Sequence, residues 1–321
     1  MCHQWKVKEL RVLVAGGTGA VGQPIVAMLR DSGHVPVVTT RTYEKAELLT
    51  LSGAAAIVMN PLDSESVVAA VRVSEPDAII HQLTALQSVK LRAFDRSLAE
   101  TNSLRREGTD NLVRAAIDHG VSRIVAQSFG GWIYRRNSGR IMTEADPLDD
   151  RPPDSRETLG AILHLEGTVT ATPGIEGVAL RYGFFYGPGT GLGPGGAITK
   201  LIQKHRFPII GNGAGVWSMV HIADAASAAV TALEGPPGVY NVADDEPAPV
   251  SEWLPYLAQQ LGAKPPRRLS PAIARVVAGA RAESMMTSIS GFSPEAFKYN
   301  FDWTPKWPSW REGFRSAVVR T

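Results

Sequence analysis

Residues 11–22 read Arg-Val-Leu-Val-Ala-Gly-Gly-Thr-Gly-Ala-Val-Gly. The apolar run from Val12 to Ala15 has the composition of a buried strand. It ends in a turn carrying Gly16, Gly19 and Gly22, and the run Pro24-Ile25-Val26-Ala27-Met28-Leu29 then starts a helix. Strand, glycine turn and helix in this order constrain the fold and its ligand together. The first glycine permits the tight turn, the second lets backbone N–H groups approach a pyrophosphate, and the third lets helix pack on strand. The helix N-terminus adds unpaired donors and a partial positive charge. Gly16, Thr18, Gly19, Ala20, Val21 and Gly22 are therefore the candidate phosphate cradle of a dinucleotide.

Strand-like and helix-like segments alternate from residue 11 to about 183. Strands are expected at Val12–Ala15, Val35–Thr39, Ala56–Met59, Asp77–His81, Arg123–Ser128 and Val178–Arg181. Helices are expected from the glycine turn to Asp31, near Glu44–Ser52 and Ser64–Val73, and over a long stretch ending near His119. Strands separated by helices of this length imply an α/β fold, a doubly wound parallel sheet with helices on both faces. Beyond Gly183 the loop Gly187-Pro188-Gly189-Thr190-Gly191-Leu192-Gly193-Pro194-Gly195-Gly196 changes the texture, and proline and tryptophan gather after Pro247. The expected organisation is a tail over 1–10, a dinucleotide-binding domain over 11–183 with parts of 216–243, and a smaller substrate lobe from 184–215 and 244–321.

Composition excludes several classes. A formal charge of +2 with no Lys/Arg block argues against a nucleic-acid partner. No apolar run approaches the ~20 residues of a membrane span, and the first ten residues lack a signal-peptide core. Cys2 is the single cysteine, which rules out a disulfide within the chain and suits a reducing, cytoplasmic setting. The seven histidines show no metal-ligand spacing, so no metal is expected.

With these landmarks in order, the chain resembles the extended short-chain dehydrogenase/reductase family, in its nucleotide-sugar epimerase and dehydratase branch. The residues that carry the resemblance are Val14-Ala15-Gly16-Gly17-Thr18-Gly19-Ala20-Val21-Gly22, Ile79-Ile80-His81-Gln82-Leu83-Thr84, and Leu180-Arg181-Tyr182-Gly183 followed by Tyr186-Gly187-Pro188-Gly189. Val220-His221-Ile222-Ala223-Asp224 and Tyr240-Asn241-Val242 complete it. The resemblance implies a Rossmann-type domain with a smaller C-terminal substrate-binding lobe. It also implies cofactor contacts at Gln82, Leu83 and Thr84, at Gln127, and at Tyr182 and Phe184. Asn60 falls where the family usually has an aspartate at the adenine, with Pro61 beside it. The second strand ends Val38-Thr39-Thr40-Arg41 with no acid for a ribose 2′-hydroxyl. The Arg41 guanidinium can pair with a 2′-phosphate, so NADPH is expected over NADH.

The family's Tyr-x-x-x-Lys pair, which does the proton chemistry, is missing. Its slots hold Leu159 and Leu163, and a shift by one gives Thr158 and Ile162. No lysine lies between Lys90 and Lys200 and no tyrosine between Tyr134 and Tyr182, so no alignment restores the pair. Ser128 matches the first serine of the usual serine run, whereas the position generally assigned to catalysis is Gly130. The supporting asparagine's slot is Arg105. Ser128 and Tyr134 are left as candidate proton donors. His81 and His221 are read as packed landmarks, and His164 as turned away from the lost lysine slot.

The Arg-Asp pair that holds a sugar-nucleotide diphosphate just before the Val-His reads Trp217-Ser218 here. An apolar aromatic surface replaces a diphosphate clamp. Trp132, Phe185, Trp217 and Met219 are the candidate substrate residues, with Phe184, Tyr134, Met285 and Met286 in reach of the same cleft. The expected function is an atypical NADPH-dependent ketoreductase for a hydrophobic, aromatic polycyclic ketone, with the proton coming from a substrate hydroxyl, water or a non-standard side chain. Atypical ketoreductases of aromatic polyketide pathways, which serve antibiotic biosynthesis, are the implied precedent. A non-catalytic NADP-binding module is the alternative, and a nucleotide-sugar epimerase or dehydratase comes last. The expected partner is a small molecule, and the expected assembly is a monomer or homodimer.

Overall fold

The computed structural model describes residues 9–51, 53–86 and 90–318, so the tail residues 1–8 with Cys2 lie outside the described residues. The N-terminal half alternates as its apolar periodicity requires: β1 (Arg11–Ala15), α1 (Gly22–Asp31), β2 (Val35–Thr40), α2 (Tyr43–Leu51), β3 (Ala55–Val58), α3 (Ser64–Ser74) and β4 (Ala78–His81). The stretch expected as one long helix is broken into α4 (Phe94–Ser97), α5 (Ala99–Ser103), a π-helical turn over Leu104–Gly108, and α6 (Thr109–Asp118). The wider π turn re-aims side chains relative to a continuous helix, and Arg105 within it is buried. Next come β5 (Arg123–Phe129), α7 (Arg156–Ala171), β6 (Glu176–Tyr182) and β7 (Phe184–Tyr186).

The remaining elements are α8 (Ala197–Gln203), β8 (Ile209–Ile210), β9 (Val216–Trp217), β10 (Met219–His221), α9 (Ile222–Thr231), β11 (Gly238–Val242), β12 (Ala248–Pro249) and α10 (Val250–Gln260). After them lie β13 (Arg268–Leu269), α11 (Pro271–Ala278), α12 (Ala280–Thr287), α13 (Glu295–Phe301) and α14 (Trp310–Val318).

Seven strands form one sheet in the order β11-β6-β5-β4-β1-β2-β3, all neighbours parallel. The chain reverses direction across the sheet between β1 and β4, where Val14 lies opposite Val38 on one side and Ile80 on the other. A ligand crevice forms outside the strand C-termini at such a switch point. One face is covered through Ile25, Leu29, Ala225 and Ala229 of α1 and α9, the other through Val71, Leu112, Ala116 and Leu165 of α3, α6 and α7. A third apolar cluster joins Trp132 and Leu159 to Trp217, Trp253, Phe292 and Trp310.

Gly183 is where the chain leaves the main sheet. Its N–H donates to the Val242 carbonyl at 3.0 Å, and the next residue, Phe184, donates to Ser218 at 2.9 Å. A Cβ at 183 would overlap the Ser218 carbonyl, so only glycine allows β7 to pair with β10.

Candidate functional site

The glycine turn separates internal from external demands. Gly16 has φ +89, and a Cβ there would sit 2.7 Å from the Gln82 carbonyl oxygen. A Cβ on Gly22 would overlap the Gly16 carbonyl. Gly19 is different: its Cβ would meet one carbonyl at 3.3 Å and otherwise open space. The fold itself requires Gly16 and Gly22, whereas Gly19 keeps room for a ligand. Thr18, Gly19 and Ala20 are exposed, and Val21 and Gly22 are buried. The first turn of α1 holds no acid, and its N-cap residue Val21 offers no side-chain acceptor. Gln23 and Ile25 N–H already donate to the Gly19 and Val21 carbonyls and Pro24 carries no N–H, so the amides of Ala20, Val21 and Gly22 are the ones left to an anion.

Gln82, at the end of β4, is buried; neither its amide oxygen nor its amide nitrogen makes a hydrogen bond of normal geometry, and the Tyr182 hydroxyl is the nearby polar group that interacts with it. Leu83 and Thr84 beside it are half-buried, and Gln127 at the neighbouring strand end is buried. Buried polar atoms are rarely left without partners, so the Gln82 amide beside the Gly16 turn fits a missing polar ligand. His81 is held neutral. Its Nδ1 accepts the Leu83 N–H at 3.2 Å, which leaves Nε2–H to donate to Thr109 Oγ1 at 3.0 Å. Burial, reinforced by the Arg105 charge, pushes its pKa down to about 4. Arg105 itself is pushed down to about 10 by burial, and its Nε and Nη1 have no partner. These residues fit a nicotinamide dinucleotide: a glycine cradle, a helix N-terminus and unpaired buried donors at the strand ends.

Other expected cofactor residues are placed as follows. Arg41 is exposed and donates to Glu100 at 2.9 Å. Asn60 closes its own turn, its side-chain oxygen accepting from Leu62 N–H, and the Pro61 carbonyl accepts from Asn111. Tyr182 is buried in the cluster under α1 and α9, with its hydroxyl near the Gln82 side chain and donating to the Ala225 carbonyl at 2.9 Å. Phe184 stacks on Trp217 at 3.8 Å and packs edge-on against Phe129. Alternation along β7 turns Phe185 to the opposite side, against Tyr182 at 5.3 Å. Phe185 therefore does not share a surface with Trp132, Trp217 and Met219, which belong to the third cluster.

The two slots of the missing acid–base pair hold leucines. Leu159 is buried, and Leu163 is 41% exposed. Ser128 donates to Glu166 Oε1 at 2.6 Å, and Glu166 also receives Arg181 at 2.8 and 2.7 Å. Arg181 donates to the Tyr134 oxygen at 3.1 Å, Tyr134 donates to Asn241 Oδ1 at 2.6 Å, and Asn241 N–H donates to Glu144 at 2.7 Å. Burial outweighs the Arg181 charge and pushes the Tyr134 pKa up to about 12. Tyr134 is buried in this network, with its hydroxyl engaged by Asn241 and Arg181. The Ser128 proton is already committed to a carboxylate, so donating it elsewhere would break a charge-assisted bond. His164 faces Asp110 at 2.7 Å, away from this network.

Reading the sequence missed two things here. The Glu166–Arg181 pair joins α7 to β6, and nothing local signals it. Arg281, in the ordinary run Ala280-Arg281-Ala282-Glu283, is completely buried with its guanidinium 3.9 Å from the Trp132 ring. Among the described residues no group of three or more His, Cys, Asp or Glu could hold a metal, and no helix is long and apolar enough to cross a membrane.

The model of the NAD dependent epimerase/dehydratase family matches residues 12–243. The chain belongs to that family. A "3-diazoavenalumate denitrifying reductase" from Streptomyces sp is 38% identical over 307 residues, covering 95% of this chain and 99% of that protein. A 4-hydroxy-2-methyl-3-oxo-4-farnesyl-3,4-dihydroquinoline-1-oxide ketoreductase from Stigmatella aurantiaca is 26% identical, covering 79% of this chain and 74% of that one. Among solved structures, the UDP-glucose 4-epimerase of Thermus thermophilus in complex with NAD is similar, with TM-score 0.74 and 28% identity over 96% of this chain and 98% of that one. The protein is thus an NAD(P)-dependent oxidoreductase of the extended short-chain dehydrogenase/reductase type, with reductases among its relatives.

Proposed function

We propose that this protein is an NADPH-dependent reductase of a hydrophobic aromatic electrophile, and that its chemistry draws no proton from a tyrosine of the enzyme. One observation carries the reading. The dinucleotide cradle is intact while the acid–base slots hold Leu159 and Leu163, and the nearby hydroxyls of Ser128 and Tyr134 are bound into the Glu166–Arg181 network. When bound, NADPH supplies a hydride equivalent. Gly19, the α1 N-terminus and Gln82 would hold it, and Arg41 would receive a 2′-phosphate. Trp132, Trp217 and Met219 would supply an apolar wall that excludes water from the reacting carbon.

The acceptor decides whether a proton is needed. A ketone that gains hydride becomes an alkoxide and must be protonated. An arenediazonium carbon that gains hydride loses its C–N bond, the electron pair leaving with N2, and the arene forms with no proton donor. The missing donor therefore favours the diazo substrate, and the 38% relative named for denitrifying a diazo compound supports it. The ketone remains the second reading, supported by the ketoreductase relative; there the substrate's own hydroxyl or water supplies the proton.

The test is to incubate the protein with an ortho-hydroxyaryl diazonium and NADPH deuterated at the transferring position. Enzyme-dependent N2 release with deuterium on the aryl carbon is expected, above the uncatalysed background. Turnover of aromatic ketones alone would select the second reading. Tight NADPH binding with no turnover of either class would overturn both substrate readings.

A further inference from the structure

Arg281 is the least explained charge in the protein. It has no exposed surface, and Nε, Nη1 and Nη2 all lack hydrogen-bond partners. A buried guanidinium with five unused donors is strongly disfavoured unless an acceptor joins it. Of the acids whose charges reach it, Asp154 is exposed and forms no ion pair with it, and the other two are committed elsewhere. Asp149 accepts from Arg136 Nε and from Arg151 N–H, and Asp95 accepts from the Glu157 and Thr158 amides and the Thr158 hydroxyl. Among the described residues nothing neutralises Arg281 by direct contact.

Its surroundings are aromatic and lie beside the crevice. The guanidinium is 3.9 Å from the centre of the Trp132 ring and 5.1 Å from that of Phe94, and those two rings meet edge to face at 5.7 Å. Trp132 follows β5 by three residues. Phe94 precedes Asp95, which caps the turn of α7 that leads into Leu159. The helix bearing Arg281 also offers the Met285 carbonyl to Trp217 Nε1 at 2.8 Å. One short helix thus ties the unpaired charge to both tryptophans of the expected substrate wall.

We infer that Arg281 is a receptor for a carboxylate on the substrate, and that the substrate is an aromatic acid. The inference rests on reading this cleft as a site for an aromatic substrate and adds an anionic group to it. A planar guanidinium held against Trp132 presents paired N–H groups that match a carboxylate's two oxygens. A ligand arriving there satisfies donors that the folded chain leaves unpaired.

The test uses binding rather than turnover. NADP-loaded protein is titrated with 4-hydroxycinnamate and with its methyl ester, by calorimetry and by tryptophan fluorescence. The acid should bind more tightly than the ester by about tenfold or more, the scale of a charge-assisted bond. Arg281→Met should remove that preference while leaving ester and NADPH affinities in place, and Arg281→Lys should restore part of it. Equal binding of acid and ester by the wild-type protein would overturn the inference, as would a preference surviving in Arg281→Met. Because the wild-type comparison decides by itself, misfolding of a variant does not protect the idea. Binding of neither probe would overturn the carboxylate receptor and count against the aromatic cleft too. Equal binding would leave that cleft, and the reductase reading, standing.

Discussion

Arg181 on β6 grips both oxygens of Glu166 on α7, at 2.8 and 2.7 Å, and the same carboxylate accepts a hydrogen bond from the Ser128 hydroxyl. In this family the face of that helix would be expected to carry proton chemistry, and here it carries a buried ion pair. Removing one partner leaves an uncompensated charge, whereas replacing both with apolar groups is often neutral. Glu166→Gln and Arg181→Met should each cost about 3–5 kcal/mol in urea unfolding. The double variant Glu166→Leu with Arg181→Met should recover most of that loss. Additive losses would show that the pair is not coupled.

Ser128→Ala removes one hydroxyl from the network without stranding a charge. Turnover should fall by less than about tenfold, because general acids typically contribute 10²–10⁴. Stability should drop by about 1 kcal/mol, the value of one hydrogen bond. A thousandfold loss of turnover with the fold intact would make Ser128 the proton donor after all.

His81 gives the protein an acid-sensitive side. Its folded pKa is pushed down from 6.5 to about 4, so between those values the unfolded chain holds a proton that the folded one refuses. Stability is therefore complete above pH 6.5 and falls progressively towards pH 4, by about 3 kcal/mol from this group. His221, pushed down to about 4 mainly by burial, acts in the same direction. Urea midpoints measured across this window should decline, and His81→Gln should flatten the decline. An unchanged slope in that variant would remove His81 from the account.

Gly19 and Gly22 should fail in different ways. A Cβ at Gly22 overlaps the Gly16 carbonyl, so Gly22→Ala should lower the melting temperature as well as cofactor affinity. A Cβ at Gly19 would meet only the Gly16 carbonyl, at 3.3 Å, a tight contact that a shift of a few tenths of an ångström relieves. The stability of Gly19→Ala should change by under about 1 kcal/mol, while NADPH binding weakens by about tenfold or more. Unweakened binding in Gly19→Ala would place the phosphates elsewhere.

Arg41 and Glu100 form an exposed pair that a 2′-phosphate would have to open. Arg41→Ala should weaken NADPH by about tenfold and leave NADH nearly unchanged. Glu100→Gln should strengthen NADPH by releasing the guanidinium. If both variants treat the two cofactors alike, Arg41 is only a surface ion pair.

What the residues determined alone is local and repetitive. The alternation of apolar strands and helices dictated the parallel sheet, because each segment's period states which face it must bury. The glycine spacing marked the candidate cradle, because a strand, a glycine turn and a helix follow one another within a dozen residues, and the leucines at 159 and 163 marked the lost acid–base pair. Tertiary structure decided everything that depends on distant partners. Ser128 meets Glu166 across 38 positions and Tyr134 meets Asn241 across 107, so their fate as network members was invisible from their neighbours. From the sequence, Phe184 and Phe185 are expected in reach of one cleft, and the pairing of β7 with β10 turns them to opposite sides. Arg281 looks like any surface arginine in an alanine-rich helix, yet packing left it buried on Trp132. A side chain's chemistry depends on its dielectric and its partners, and those exist only once segments far apart in the chain have met.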